Sequence, residues 1–366
     1  MIRLPFFLPA LLVATGSFVS SPIFPAPALA AETVSANEIA ENYAKMLEED
    51  YVYADIGKRY AEALRAGIAS GRFAKLTGEE LAGALETTVQ SVSPDGHIRV
   101  RAGVGAPPPQ GAGAPPSMPE PIEQAGWIAP GIAYIRFNNF PHDDATTARA
   151  AKFMADHADA RAVIFDIRTN NGGGLAQMDA MLPWLFDKPT RLVTMALRAS
   201  VDAKGFLIGD GPTMRRVPGD PAMVTREHWV TPNKDGRLRD AKVYLLTSGA
   251  SRSAAEHFAL SMKHTGRARL IGAATGGANH FGGGQDLGGD FGAFIPVGRT
   301  YDPVTGKDWE GDGLAPDVEV APERALEVAL AELGLPADDA KRLSDAYMPT
   351  RSMERRKPLV TPASGR

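Results

Sequence analysis

Cysteine is absent from all 366 residues, which excludes disulfides, thiol catalysis, thiolate metal ligands and lipid attachment through a cysteine. An excess of one charge is absent too. The 39 Lys and Arg against 43 Asp and Glu leave a formal net charge of −4, so neither nucleic-acid binding nor attraction to an anionic membrane surface is expected. Beyond the N-terminus no apolar run is long enough to span a bilayer. There is no His-Glu-x-x-His, no dense acidic loop of the calcium type, no Gly-Lys-Ser/Thr ending and no spaced Gly-x-Gly-x-x-Gly. We therefore expect no metal, no cofactor and no bound nucleotide. No internal repeat is visible.

What is present begins with Met1-Ile2-Arg3, an apolar run from Leu4 to Val19, and Ala28-Leu29-Ala30 before Ala31-Glu32. A charged start, an apolar centre and small residues at the cut site read as a secretory signal peptide over 1–30, cleaved near Ala30. The mature protein is then expected in the periplasm or secreted, without stable membrane insertion. Residues 31–100 read as an N-terminal helical domain, with one apolar stripe of Ile39, Tyr43, Met46 and Leu47 and another of Leu81, Leu85 and Val89. Residues 101–125 are Pro- and Gly-rich and offer little to bury, so they read as a linker.

Over 126–335 strands alternate with helices. Ile132 to Phe137, Ala162 to Ile167, Lys242 to Thr247 and Ala268 to Gly272 read as strands. Ala145 to His157, Leu175 to Leu185, Ala254 to Lys263 and Glu323 to Leu333 read as helices. That order implies βαβ units and a sheet that is mostly parallel at its centre. Within 186–240 only Arg191 to Arg198 reads as a strand, followed by a loop-rich insertion. Residues 336–366 read as a polar C-terminal tail.

Four segments can carry chemistry. Ser253 stands between a strand and a helix, where backbone N–H groups and the helix dipole favour an alkoxide or oxyanion; an ordinary N-cap would look the same locally. Asp166 to Gly174 follows the most apolar strand and ends in three glycines, a run whose N–H groups can face a ligand at the carboxyl end of a parallel strand. His97 lies in the turn Pro94-Asp95-Gly96-His97 and needs a carboxylate partner to act as a base. Asp308 to Asp317 offers Glu310 and Asp317 as carboxylates beside Trp309. His257 and His264 read as surface residues of the helix after Ser253, and His142, His157 and His228 carry no local signal.

Taken in order, Asp-x-Arg-x-Asn-x-Gly-Gly at Asp166 to Gly173, Ser-Ala-Ala-Glu at Ser253 to Glu256, Gly-x-x-Thr-Gly-Gly at Gly272 to Gly277, and Gly-x-x-Pro-Asp at Gly313 to Asp317 resemble one serine peptidase family. It is the family of the tail-specific (C-terminal processing) proteases, the tricorn core and the interphotoreceptor retinoid-binding protein repeats. The resemblance runs from about Asn37 to Leu333. It implies an α/β fold with a ClpP/crotonase-like core, a mostly parallel sheet flanked by helices, and a small N-terminal helical domain. The processing branch carries a lysine in the loop after Gly-x-x-Thr. Here that loop, Thr275 to His280, has none, so the resemblance is to the tricorn-like branch without a PDZ domain.

That branch implies a triad of Ser253, His97 and Glu310, with an oxyanion hole from the N–H of Ala254 and an N–H of Gly172 or Gly173. Arg252, Asn171, Gly276 and Gly277 become candidates to contact substrate. The implied activity is peptide-bond hydrolysis in peptides or unfolded proteins, and an oligomer is possible. An apolar-ligand-binding module of the same fold and an esterase-type acyl hydrolase are the alternatives left open.

Overall fold

A computed structural model describes residues 34–104, 119–205 and 208–355; the leader expected over 1–30 and residues 105–118 of the expected linker lie outside the described residues. Helix α1 (Ala36–Asp50) starts where Ser35 and Glu38 cap one another, each side chain accepting the other's backbone N–H. Its buried stripe of Ile39, Tyr43 and Leu47 packs with Tyr60 and Leu64 of α2 (Ala54–Ala69) and with Leu81, Leu85 and Val89 of α3 (Gly78–Val92). These helices do not close a core alone. They share it with Leu287, Phe291, Ile295 and Val297 of an antiparallel sheet.

That sheet runs in the order β1 (Arg99–Ala102), β11 (Phe291–Tyr301), β5 (Thr190–Arg198), β7 (Met223–Val230), β6 (Met214–Val217), with β10 (His280–Gly288) also paired to β11. Strands β6 and β7 occupy the stretch expected to be loop-rich. Their sequences, Met-Arg-Arg-Val and Met-Val-Thr-Arg-Glu-His-Trp-Val, carry too many charges to read as strands. Tertiary pairing makes them so, since Arg226 is buried against Asp202 and Asp210.

The second sheet has the order β12 (Val318–Glu319), β9 (Arg269–Gly272), β8 (Lys242–Thr247), β4 (Ala162–Asp166), β3 (Ile132–Phe137), β2 (Ile122–Ala129). Its pairings are parallel from β3 to β12, and β2 is antiparallel at the edge. Strands β3 and β4 are buried along their whole length, as continuous apolar strands covered on both faces must be. One face packs on α4 (Asp144–Asp156), α5 (Ala176–Met181) and α7 (Ala254–His264), and the other on α8 (Ala325–Glu332). The helix expected over Leu175 to Leu185 is shorter than its apolar pattern, because it tightens to a 3-10 turn at Leu182–Trp184 around Pro183. Part of the expected polar tail is ordered, with α9 (Ala337–Ala346) pinning Ala340 under α8. No helix among the described residues is long and apolar enough to cross a membrane.

Candidate active site

The carboxyl ends of β4 and β8 lie side by side, so the turns that follow them meet. At the end of β8 the chain makes two hydroxyl contacts to the β4 side: Ser248 donates to the Arg168 carbonyl and Ser251 to the Ile167 carbonyl. It then reaches Ser253 at φ 54° and ψ −119° before entering α7. A non-glycine residue there stores roughly 1–3 kcal/mol of backbone strain. The Ser253 N–H donates to Glu256 Oε2 at 2.9 Å, and the Ser253 carbonyl accepts the first helical N–H groups. Ser253 is thus the N-cap of α7, set in a capping box with Glu256.

The β4 turn is braced from below. Arg168 grips Asp166 with two parallel bonds of 2.9 and 2.6 Å, Tyr134 donates to the same carboxylate at 2.6 Å, and all three side chains are buried. Burial alone would push the Asp166 carboxyl up, but Arg168 more than offsets it and holds it below the ordinary value. The Asp and Arg of the sequence motif are therefore framework. The glycines do the close work: a Cβ on Gly172, at φ +106°, would sit 2.7 Å from Ser253 Cβ.

Of the two glycine amides, that of Gly172 donates to Asn170 Oδ1 at 2.8 Å. The amides of Gly173 and Ala254 have no acceptor among the described residues. Both residues line a pocket with Ser253, which leaves this pair available to an oxyanion.

The remaining candidates come from distant segments that converge on the same corner. The Gly96 N–H donates to Glu310 Oε1 at 2.8 Å, and Arg252 reaches the Gly96 carbonyl at 2.9 Å. The turn carrying His97, the turn carrying Glu310 and the neighbour of Ser253 thus lie together. The Glu310 carboxylate also accepts the amides of Asn279 and His280 at 2.6 and 3.2 Å. It makes no hydrogen bond to the His97 ring. That ring stacks on Phe294 at a centroid distance of 5.5 Å, and its Nδ1 is buried without a partner. Burial, with Arg252 and His280 adding to it against Asp95, depresses His97 to about 3, so the imidazole is neutral.

At this corner the imidazole clamped to a carboxylate is that of His280, which sequence reasoning missed. Its Nδ1 lies 2.7 Å from Asp95 Oδ2 and 3.8 Å from Glu310 Oε2, and its Nε2 is buried and unpaired. Burial disfavours its cation, yet Asp95 raises the pKa above the ordinary value. Ligand-type atoms of Asp95, His280 and Glu310 lie within 4.8 Å of one another. Those carboxylates are already taken up by Tyr51, His97, Gly96, Asn279 and His280.

The residues expected to touch substrate divide in two. Asn171 is exposed beside the glycine loop. Arg252 is turned onto Gly96, while the amides of Gly276 and Gly277 donate to the Ser251 carbonyl and Glu256 Oε1. Those three hold the site's loops together. The pocket in front of Ser253 measures about 310 Å³ and is walled by Leu175, Met195, Ile208, Met214, Phe281 and Trp309. His257 also lines it. It is buried rather than on the surface as expected, because α7 packs between the two sheets.

A serine at a strained helix entry beside two unengaged amides meets a match of sequence: the model of peptidase family S41 covers residues 131–320, just over half the chain. The chain belongs to peptidase family S41. Among solved structures this S41 peptidase is similar to a candidate peptidase from Parabacteroides merdae, at 16% identity and a TM-score of 0.57, over 82% of this chain and 97% of that one. It is also similar to the photosystem II D1 C-terminal processing protease, at 15% identity and a TM-score of 0.52, over 84% and 97% of the two chains. The fold is thus the expected α/β peptidase fold, and the S41 chain is a serine peptidase acting on peptides or proteins.

Proposed function

We propose that the protein is exported and hydrolyses peptide bonds with Ser253 as nucleophile, His97 as general base and Glu310 as the carboxylate organising the base's turn. The observation that carries this reading is the Ser253 turn itself. A serine held at a strained helix entry is flanked by the two unengaged amides of Ala254 and Gly173. The serine attacks the carbonyl carbon, its proton passes to the imidazole, and the developing O⁻ is held by the two amides. Collapse of the tetrahedral adduct expels the amine with that proton, and water then releases the acyl group by the same route. Glu310 acts through backbone contacts to Gly96, so it positions the His97 turn.

A second assignment of the base is favoured by one geometric fact: His280, and not His97, has the carboxylate-oriented ring. Export and a periplasmic or secreted location rest on the N-terminal leader pattern. Action on carboxyl-terminal segments rests on similarity to the D1 processing protease.

Labelling with a fluorophosphonate followed by peptide mapping tests the whole reading. Modification at Ser253 that is lost in His97→Gln and kept in His280→Gln supports the triad as proposed. The reverse pattern transfers the base to His280. No modification of the native protein counts against an activated nucleophile.

A further inference from the structure

Along one wall of the pocket runs a chain of three groups that the catalytic reading does not use, with Asp179 and His257 lining it and His228 between them. Asp179 Oδ1 is 2.8 Å from His228 Nε2, and His228 Nδ1 is 2.8 Å from His257 Nε2. A carboxylate only accepts, so His228 must carry its proton on Nε2. With His228 neutral, its Nδ1 is bare and accepts from His257 Nε2–H. By elimination His257 presents a lone pair on Nδ1, which makes no hydrogen bond among the described residues. Burial, reinforced by His228, holds His257 far below the ordinary histidine value, so it stays neutral. Thr213 donates to the other Asp179 oxygen at 3.2 Å and fixes the far end of the chain.

His257 follows Ser253 by four residues on α7, and both line the pocket. The larger walls, Met195, Met214, Phe281 and Trp309, are apolar, and among the polar lining residues, which include Asp179, Asn279 and Thr300, His257 is the one a single helical turn from the nucleophile. We infer that His257 is a specificity-determining residue, an acceptor that selects an aromatic side chain ending in a hydrogen-bond donor, such as the tyrosine hydroxyl. This rests on the serine peptidase reading of the same site. A phenylalanine would fill the apolar space and leave Nδ1 unpaired, whereas tyrosine satisfies it, a difference of roughly 3–10-fold in affinity.

The test measures binding without turnover. In a Ser253→Ala background, calorimetry compares acetyl-tetra-alanyl-tyrosine with acetyl-tetra-alanyl-phenylalanine. The tyrosine peptide is expected to bind roughly 3–10-fold tighter. His257→Leu should erase the difference while the phenylalanine peptide still binds, and Asp179→Leu, which frees the tautomer, should shrink it. Nitrogen-15 spectra of the intact protein should show His257 neutral with its proton on Nε2. Equal affinities in the intact pocket, binding of neither peptide, or a preference that survives His257→Leu overturns the inference. Failure of Ser253 to take the fluorophosphonate overturns the peptidase reading instead, and the two results are independent.

Discussion

Replacing Glu256 with glutamine should damage the site more than its distance from the chemistry suggests. The Glu256 carboxylate is fully buried, and each oxygen accepts twice. Oε1 takes the Thr275 hydroxyl and the Gly277 amide at 2.5 and 2.7 Å, while Oε2 takes the Ala278 and Ser253 amides at 2.8 and 2.9 Å. These bonds tie the loop that leads to Glu310's partners onto the nucleophile's own N–H. Glutamine keeps one acceptor oxygen and turns an NH2 group toward two donors. Two charge-assisted bonds at about 1.5–3 kcal/mol each are lost, so the expected destabilisation is about 3–6 kcal/mol. Equilibrium denaturation followed by tryptophan fluorescence and circular dichroism measures it, with the denaturant slope checked for constancy. Labelling of Ser253 should slow as well, because the amide of the strained residue loses its anchor. A loss below about 1 kcal/mol at unchanged slope would refute the claim that this carboxylate holds the site together.

The strain at Ser253 predicts that Ser253→Gly is more stable than the native protein by about 1 kcal/mol while losing all turnover; a destabilised variant would mean the backbone is not strained. Gly172→Ala places a methyl 2.7 Å from Ser253 Cβ at φ +106° and should cost about 3 kcal/mol or abolish labelling, as thermal unfolding and probe uptake would show. The depressed value of His97 predicts an acid limb of kcat/KM well below pH 6.5, moving toward 3; a limb near 6.5 would remove His97 as the base. The neutral ring also contributes stability that is complete above pH 6.5 and is lost as pH falls toward 3. His97→Phe should flatten that part of the pH–stability curve.

The order of βαβ units was legible because β3, β4 and β8 are almost wholly apolar, and a doubly covered parallel sheet leaves that mark directly in the chain. Ser253 was legible as a candidate because a serine between an apolar strand and an amphipathic helix has few roles. The antiparallel sheet was not, since β6 and β7 carry arginines and histidine whose burial depends on partners such as Asp202, Asp210 and Asp179. His280 and His257 escaped for the same reason. Nothing within a few residues of either one shows the carboxylate or imidazole that fixes its proton.

Local sequence determines periodicity, turns and the chemical types on offer, because these depend on neighbours along the chain. Tertiary structure alone decided that Asp95 pairs with His280 rather than leaving Glu310 to orient His97, and that Asp166 and Arg168 brace the glycine loop. Hydrogen-bond partnership falls off within about 3.5 Å, so it is settled by which distant segments are folded into contact.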